Sequence, residues 1–188
     1  MKKLVKTGAY LFPTPTAMVS CAGGQTAANI ITIAWIGVVC SEPTILSVSI
    51  RPGRHSYSLI KQTGEFVVNI PSESQLAALD FCGVASGKDV DKFKELGLTA
   101  IPASKVSAPL IKECPVNLEC KVIDIRKLGT HHMFLGEVVA VHMNEEVMNE
   151  KGNIDISRLQ PIAYCPQAAE YWSLKQPIGT YGFTKGKK

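Results

Sequence analysis

Residues 49–57, Ser-Ile-Arg-Pro-Gly-Arg-His-Ser-Tyr, set two guanidiniums, an imidazole and three hydroxyls on nine successive positions. A guanidinium grips a phosphate or carboxylate through two parallel hydrogen bonds. A helix start adds unsatisfied backbone N–H groups and the positive end of the helix dipole. Ser56 reads as an N-cap and Gly64 as a stop, so Tyr57 to Thr63 is expected to be helical. Strand, basic loop and helix start in succession make an anion site, with Arg51 as its main ligand. Ser49 falls on the same face as Arg51 if the strand continues. For a lone arginine the alternative is a surface salt bridge; Arg54, His55 and Ser56 beside the helix start are what favour a phosphate.

A second polar stretch, Ser86-Gly-Lys-Asp-Val-Asp-Lys92-Phe, precedes another short helix. Ser86 and Lys92 could serve an anion there, or Asp89 or Asp91 could simply cap the helix. His131 and His132 stand at the start of a strand after Gly129-Thr130. Adjacent strand residues point to opposite faces, so at most one histidine faces a given pocket. His131 could hydrogen-bond a cofactor or donate a proton near neutral pH, or be a solvated turn histidine. Neither a Ser/His/Asp set, a carboxylate pair, GxGxxG nor a Walker loop is present, which disfavours hydrolysis and Rossmann-type dinucleotide binding.

The elements that must carry these groups are mostly strands. Asn29 to Cys40 and Thr44 to Ile50 are apolar, β-branched runs joined by Ser41-Glu42-Pro43. Ala17-Met-Val-Ser-Cys, Glu65 to Ile70, Asn117 to Leu128 and Met133 to Met143 read as further strands, and 22–26 as a turn. Ser72-Glu-Ser-Gln75 matches a capping box, so Gln75 to Cys82 is expected to be helical. Helix is also expected from Val90 to Leu96, stopped by Gly97. Trp35 is by default a core residue. The aromatic tail, with Tyr164, Tyr171, Trp172 and Tyr181, is expected to pack on the body or on a partner copy. Six or seven strands with few helices predict a mainly β fold, a closed antiparallel barrel with short peripheral helices, in one domain spanning 1–188.

The totals narrow the partners. Of 20 basic residues, Lys2, Lys3, Lys6, Lys185, Lys187 and Lys188 lie at the ends, leaving 14 against 16 acidic residues in the body. With 7% aromatic residues, this argues against a nucleic-acid barrel, which needs a basic groove and stacking rings. The longest apolar stretch, Ile30 to Cys40, is shorter than the ~20 residues of a spanning helix. No secretory signal is legible, so a cytoplasmic chain with no membrane partner is expected. The six cysteines form no CxxC pair and suit free thiols better than disulfides; no metal site is expected, because zinc-ligand spacings are missing.

Taken together, Phe12-Pro-Thr-Pro, Asn29-Ile-Ile-Thr-Ile-Ala-Trp35, Ser49-Ile-Arg51, Ser56-Tyr57, Phe66-Val-Val-Asn-Ile-Pro71, Ser86-Gly87 with Asp91-Lys92-Phe93, Leu118-Glu-Cys120 and Phe134-Leu-Gly-Glu137 resemble the flavin reductase-like family of FMN-binding split barrels. The resemblance is strongest to its flavoredoxin branch and runs from about residue 8 to 143. It implies a six-stranded Greek-key barrel, a homodimer and one non-covalent FMN per subunit. It also implies that Asn29, Thr32, Ala34 and Trp35 run beside the isoalloxazine ring. Ser49, Ile50, Arg51, Ser56 and Tyr57 would hold phosphate and ribityl. The loop from Cys82 through Ser86 to Lys92 would close the site. The implied activity is that of an FMN-dependent oxidoreductase or electron carrier, fed by NADH, NADPH or a redox protein. A flavin-storage barrel is the non-catalytic alternative.

Overall fold

The structure, a computed structural model, describes residues 1–23 and 26–185. Gly24 and Gln25 of the expected turn, and Lys187 and Lys188, lie outside the described residues. In chain order the strands of the first half are β1 (Thr14–Pro15), β2 (Ala17–Gly23), β3 (Thr26–Ile33), β4 (Ile36–Ser41) and β5 (Thr44–Ile50). Helix α1 (His55–Thr63), β6 (Glu65–Ile70), α2 (Leu76–Val84) and α3 (Lys92–Glu95) follow. Then come β7 (Ala100–Ile101), β8 (Leu110–Ile111), the long hairpin β9 (Val116–Leu128) and β10 (His131–Met143), α4 (Ile156–Leu159), β11 (Ile162–Cys165) and β12 (Glu170–Ser173).

Seven strands form one antiparallel sheet in the order β3-β2-β6-β9-β10-β5-β4. The expected closed barrel of six strands is therefore not what the ladders form: among the described residues no ladder joins the two edges. Those edges, β3 and β4, are successive in the chain and separated only by Ala34 and Trp35. The apolar run Asn29 to Cys40, read as one strand, bends there and supplies both edges of a strongly curled sheet. Ser49 N–H donates to the Trp35 carbonyl at 2.9 Å, which ties the bend to the end of β5. Register shifts between Leu135 and Gly136 and between Val138 and Ala140 bend the long hairpin. At Gly136 a Cβ would lie 2.5 Å from the Phe66 ring, so only glycine lets that fully buried ring rest on β10.

The concave side holds one core, in which Val19, Ile31, Val48, Ile50, Phe66, Val68 and Phe134 meet Leu59 and Ile60 of α1. A second core lies behind β3, where Met18 and Ile30 pack on Leu79 and Cys82 of α2 and on Ile111. From Asn29 to Ile33 strand β3 is thus covered on both faces, which is why the successive Ile30 and Ile31 are both buried and the segment does not alternate apolar with polar. The tail does reach the body: β11 pairs with β1 and β12, and Ile162 is buried, whereas Trp172 and Tyr181 stay exposed.

Helix α1 starts two residues earlier than expected. Arg54 is its N-cap, without a side-chain cap bond, and Ser56 lies inside the helix, fully buried. Gly64 is the left-handed C-cap anticipated from sequence. The capping box at Ser72 and Gln75 is formed, and its single turn of 3-10 helix leads into α2.

Far from the helix, Glu119 on β9 is buried and accepts from Ser104 N–H and hydroxyl, Lys105 N–H, Val106 N–H and His142 Nε2. Burial alone would raise its pKa, but these hydrogen bonds outweigh it and hold the carboxyl down to about 2. The resulting stability is complete above the ordinary value of 4.5 and is lost as pH falls toward 2. Glu119→Gln leaves donors of residues 105–106 facing an amide, and is expected to cost about 1–3 kcal/mol at pH 7. Urea denaturation measures this, and acid unfolding of the variant should start from a lower plateau with a flatter slope between pH 4.5 and 2; an unchanged urea midpoint would contradict the assignment.

Candidate functional site

Two adjoining cavities flank β3 and share Ile31 and Arg54. The upper, about 160 Å³, runs along Thr32, Ala34 and Trp35 and is faced by Ser49, Arg51 and His131. The lower, about 240 Å³, is bounded by Asn29, by the α1 start at Arg54 to Ser56, and by Ser86, Gly87 and Lys92. Among the described residues no carboxylate lines either cavity. Acids appear only beyond Gly87, where Asp89 and Asp91 line the next hollow. Arg51 and Arg54 take part in no ion pair among the described residues.

The lower cavity is built around a buried ammonium. Lys92 is 3% exposed, and its Nζ donates to the carbonyls of Ile30 at 2.7 Å and Cys82 at 2.8 Å. Burial pushes its pKa down, and the nearby Arg54 charge acts in the same direction. An ammonium has three donors, so one remains after these two carbonyls. Asp91 is the cap of α3, accepting from Lys94 N–H at 3.2 Å. Of the two readings the sequence left open, capping is the one Asp91 performs, while the next residue, Lys92, lines the cavity.

Asn29 opposes the α1 start, its Nδ2 donating to Ser56 Oγ at 2.7 Å. This bond is why Ser56 is drawn into the helix interior and is not its cap. Gly87 presses on the same amide: a Cβ there would lie 2.1 Å from Asn29 Oδ1. The 85–91 loop is thus held on β3 by a contact that only glycine permits. Thr32 donates its hydroxyl to the Leu79 carbonyl, joining β3 to α2 on the opposite face.

At the upper cavity Arg51 Nε donates to His131 Nε2 at 3.4 Å, and His131 Nδ1 lies 3.0 Å from Thr130 Oγ1. A guanidinium only donates, so Nε2 is the acceptor and the ring proton sits on Nδ1. His132 points the other way, its Nδ1 2.7 Å from the Tyr57 hydroxyl, and Tyr57 packs edge-on against Phe134 in the core.

Of the residues expected from sequence, Thr32, Ala34, Trp35, Ser49, Ile50, Arg51 and His131 meet in the upper cavity. Asn29, Ser56, Ser86 and Lys92 meet in the lower. Tyr57 and Cys82 line neither; the Cys82 side chain is buried, and it is its carbonyl that holds Lys92. Arg54, which spans both cavities, and Gly87 were in the quoted motifs without being singled out as ligands. Tyr164, which also lines the upper cavity, comes from the distant tail and had no sequence signal.

Residues 9–173 match the family described as "Flavin reductase like domain". The chain belongs to the flavin reductase-like family. Among solved structures, the flavoredoxin of Desulfovibrio vulgaris (Miyazaki F) is 31% identical, superposes with a TM-score of 0.93, and covers 99% of this chain and 100% of its own. A flavoredoxin from Methanosarcina acetivorans is 27% identical with a TM-score of 0.88, covering 97% of each chain. An uncharacterised protein of Archaeoglobus fulgidus is 35% identical over 146 residues, 78% of this chain and 81% of that protein. These likenesses place the flavin reductase-like chain on the flavoredoxin side of the family.

The arrangement makes His131 a local titration probe. Burial and the Arg51 charge both hold its pKa below the ordinary 6.5. Its neutral form is favoured in the fold, so the associated stability is present above pH 6.5 and lost as pH falls through the folded value. In an NMR titration His131 should titrate below 6.5, and Arg51→Gln should move it upward by removing one of the two causes. A titration unmoved by Arg51→Gln would show that the guanidinium does not face the ring.

Proposed function

We propose that this chain is an FMN-dependent oxidoreductase or electron carrier of the flavoredoxin and flavin reductase type. In this reading residues 1–188 form one FMN-binding split-barrel domain that works in the cytoplasm as a homodimer. The observation that carries the reading is the convergence of Arg51, Arg54 and buried Lys92 on two adjoining cavities without any carboxylate partner. Unpaired cations held beside a helix start suit a dianion such as a phosphate monoester.

The donor sets divide the ligand. The lower cavity, with Lys92, Arg54, Ser56, Ser86 and the α1 start, suits the phosphate. The upper cavity, walled by Thr32 to Trp35 and Ile50, suits a flat ring, with Arg51 and His131 at its polar margin. Bound there, FMN would supply two-electron or one-electron redox chemistry, while the protein fixes its position and its electrostatic surroundings. Asn29 orients the Ser56 hydroxyl, Gly87 lets the loop close over it, and Arg51 places positive charge where an electron-rich ring edge would be stabilised. The donor of electrons is NADH, NADPH or a redox protein. The likeness to the two flavoredoxins supports the carrier reading; bleaching of bound flavin on anaerobic mixing with NADH or NADPH would favour the reductase instead.

The phosphate assignment is tested by comparing FMN with riboflavin, which lacks it, in fluorescence titrations. Arg54→Gln is expected to weaken FMN by about 1–3 kcal/mol and leave riboflavin affinity in place. Arg51→Ala is expected to weaken FMN by a similar order, roughly 1–3 kcal/mol, and riboflavin with it. A wild-type protein that is colourless and does not take up added FMN would refute the proposal outright.

A further inference from the structure

Of the lysines among the described residues, Lys92 alone is buried; Lys88 and Lys94, close by in the chain, are exposed. The Nζ hydrogens given to the Ile30 and Cys82 carbonyls go to two different elements, β3 and α2. With the bond to Cε, they fix three of the nitrogen's four tetrahedral directions. The fourth carries an N–H in the ammonium and a lone pair in the neutral amine. Loss of one proton therefore leaves both carbonyl bonds intact and turns the free direction into a nucleophile. Burial favours that neutral form, and the Arg54 charge acts with it. The Cys21 and Cys82 thiols near the amine are kept protonated by burial and do not compete for an electrophile.

The lower cavity that Lys92 lines, about 240 Å³, also holds donors for a phosphate. Arg54 lines it and has no ion-pair partner among the described residues. Ser86 Oγ accepts from Lys88 N–H at 3.2 Å, which leaves its own hydrogen to donate. A buried amine and a set of phosphate donors thus share one small space. Acyl phosphates meet both, because an electrophilic carbonyl is joined directly to an anionic phosphate.

We propose that Lys92 is an acylation site, modified by small acyl phosphates that the lower cavity holds by their phosphate group. The inference rests on the flavin reading only for the assignment of this cavity to a phosphate. In the reaction the Nζ lone pair attacks the acyl carbon and forms the C–N bond. The bond from that carbon to the bridging oxygen breaks, and its electron pair leaves with the phosphate. Nitrogen gives up one proton to water, so the products are an amide and inorganic phosphate. The amide is uncharged and keeps one N–H for two carbonyls. Acylation therefore removes a cation from the cavity and obstructs it, which makes it a brake on flavin loading that a flavin already bound would prevent.

The test treats FMN-free protein with acetyl phosphate and reads acetyl occupancy by mass spectrometry after chymotryptic cleavage, Phe93 lying between Lys92 and Lys94. Lys92 is expected to react about tenfold faster than exposed Lys94. N-acetoxysuccinimide, which carries no phosphate, should reverse that order. Inorganic phosphate and FMN should each suppress acetylation of Lys92 and leave Lys94 unchanged. Arg54→Gln, a change at an exposed position, should slow Lys92 about tenfold and spare Lys94. Protein acetylated at Lys92 should take up FMN about tenfold more weakly. If Lys92 reacts no faster than Lys94, or N-acetoxysuccinimide shows the same preference, the acylation site is refuted even where FMN binds. Preferential acetylation suppressed by phosphate, in a protein that takes no FMN, would leave the site standing and overturn the flavin reading instead.

Discussion

A buried ammonium with no carboxylate beside it is the constraint from which the site follows. Taking a charge out of water is costly unless hydrogen bonds or a counter-charge compensate. Lys92 has two carbonyl acceptors, one from β3 and one from the end of α2, and the nearby Arg54 only adds to the electrostatic debt. Dipoles hold the charge in place without neutralising it. In the proposed reading, a dianion would relieve both cations at once.

The fold makes such an arrangement tolerable by burying β3 on both sides. Its odd-numbered residues, Asn29, Ile31 and Ile33, face the concave core and α1, while Ile30 and Thr32 face α2. The Ile30 carbonyl is therefore fixed from two directions when it accepts from Lys92. The bend at Ala34 and Trp35 then carries the same run to the other edge of the sheet, beside Ser49. One segment of chain thus borders the cationic end, the flat apolar wall and the rim, and no separate loop is needed to align them.

Much of this was legible because it depends on local chemistry. The basic loop, the glycine stop at Gly64, the capping box at Ser72 and the Ser86 to Lys92 loop carry their signals in neighbouring residues. What escaped depends on distant contacts. Ala34-Trp35 has no turn signature, so the split of one strand into two edges is visible only in the ladders. Ser56 has the side chain of an N-cap, yet the pull of Asn29, 27 residues away, places it inside the helix. Tyr164 reaches the site only because β11 pairs with β1. Periodicity along the chain contains none of these three facts.

The cysteines bear on where the redox chemistry of a flavin reductase-like protein resides. Cys21, Cys82, Cys114 and Cys120 are buried, and desolvation raises their pKa values, to about 11 for Cys21 and Cys82 and about 12 for Cys120. The thiolate is the reactive form, so at neutral pH these four are chemically quiet. Even Cys82, close to the Lys92 charge, is dominated by burial. The same low-polarity packing that silences the thiols also strengthens the field of the buried Lys92 at the cavity. In the proposed reading, the electrons would move through the flavin, since buried thiols with raised pKa values are poorly suited to thiol-disulfide exchange.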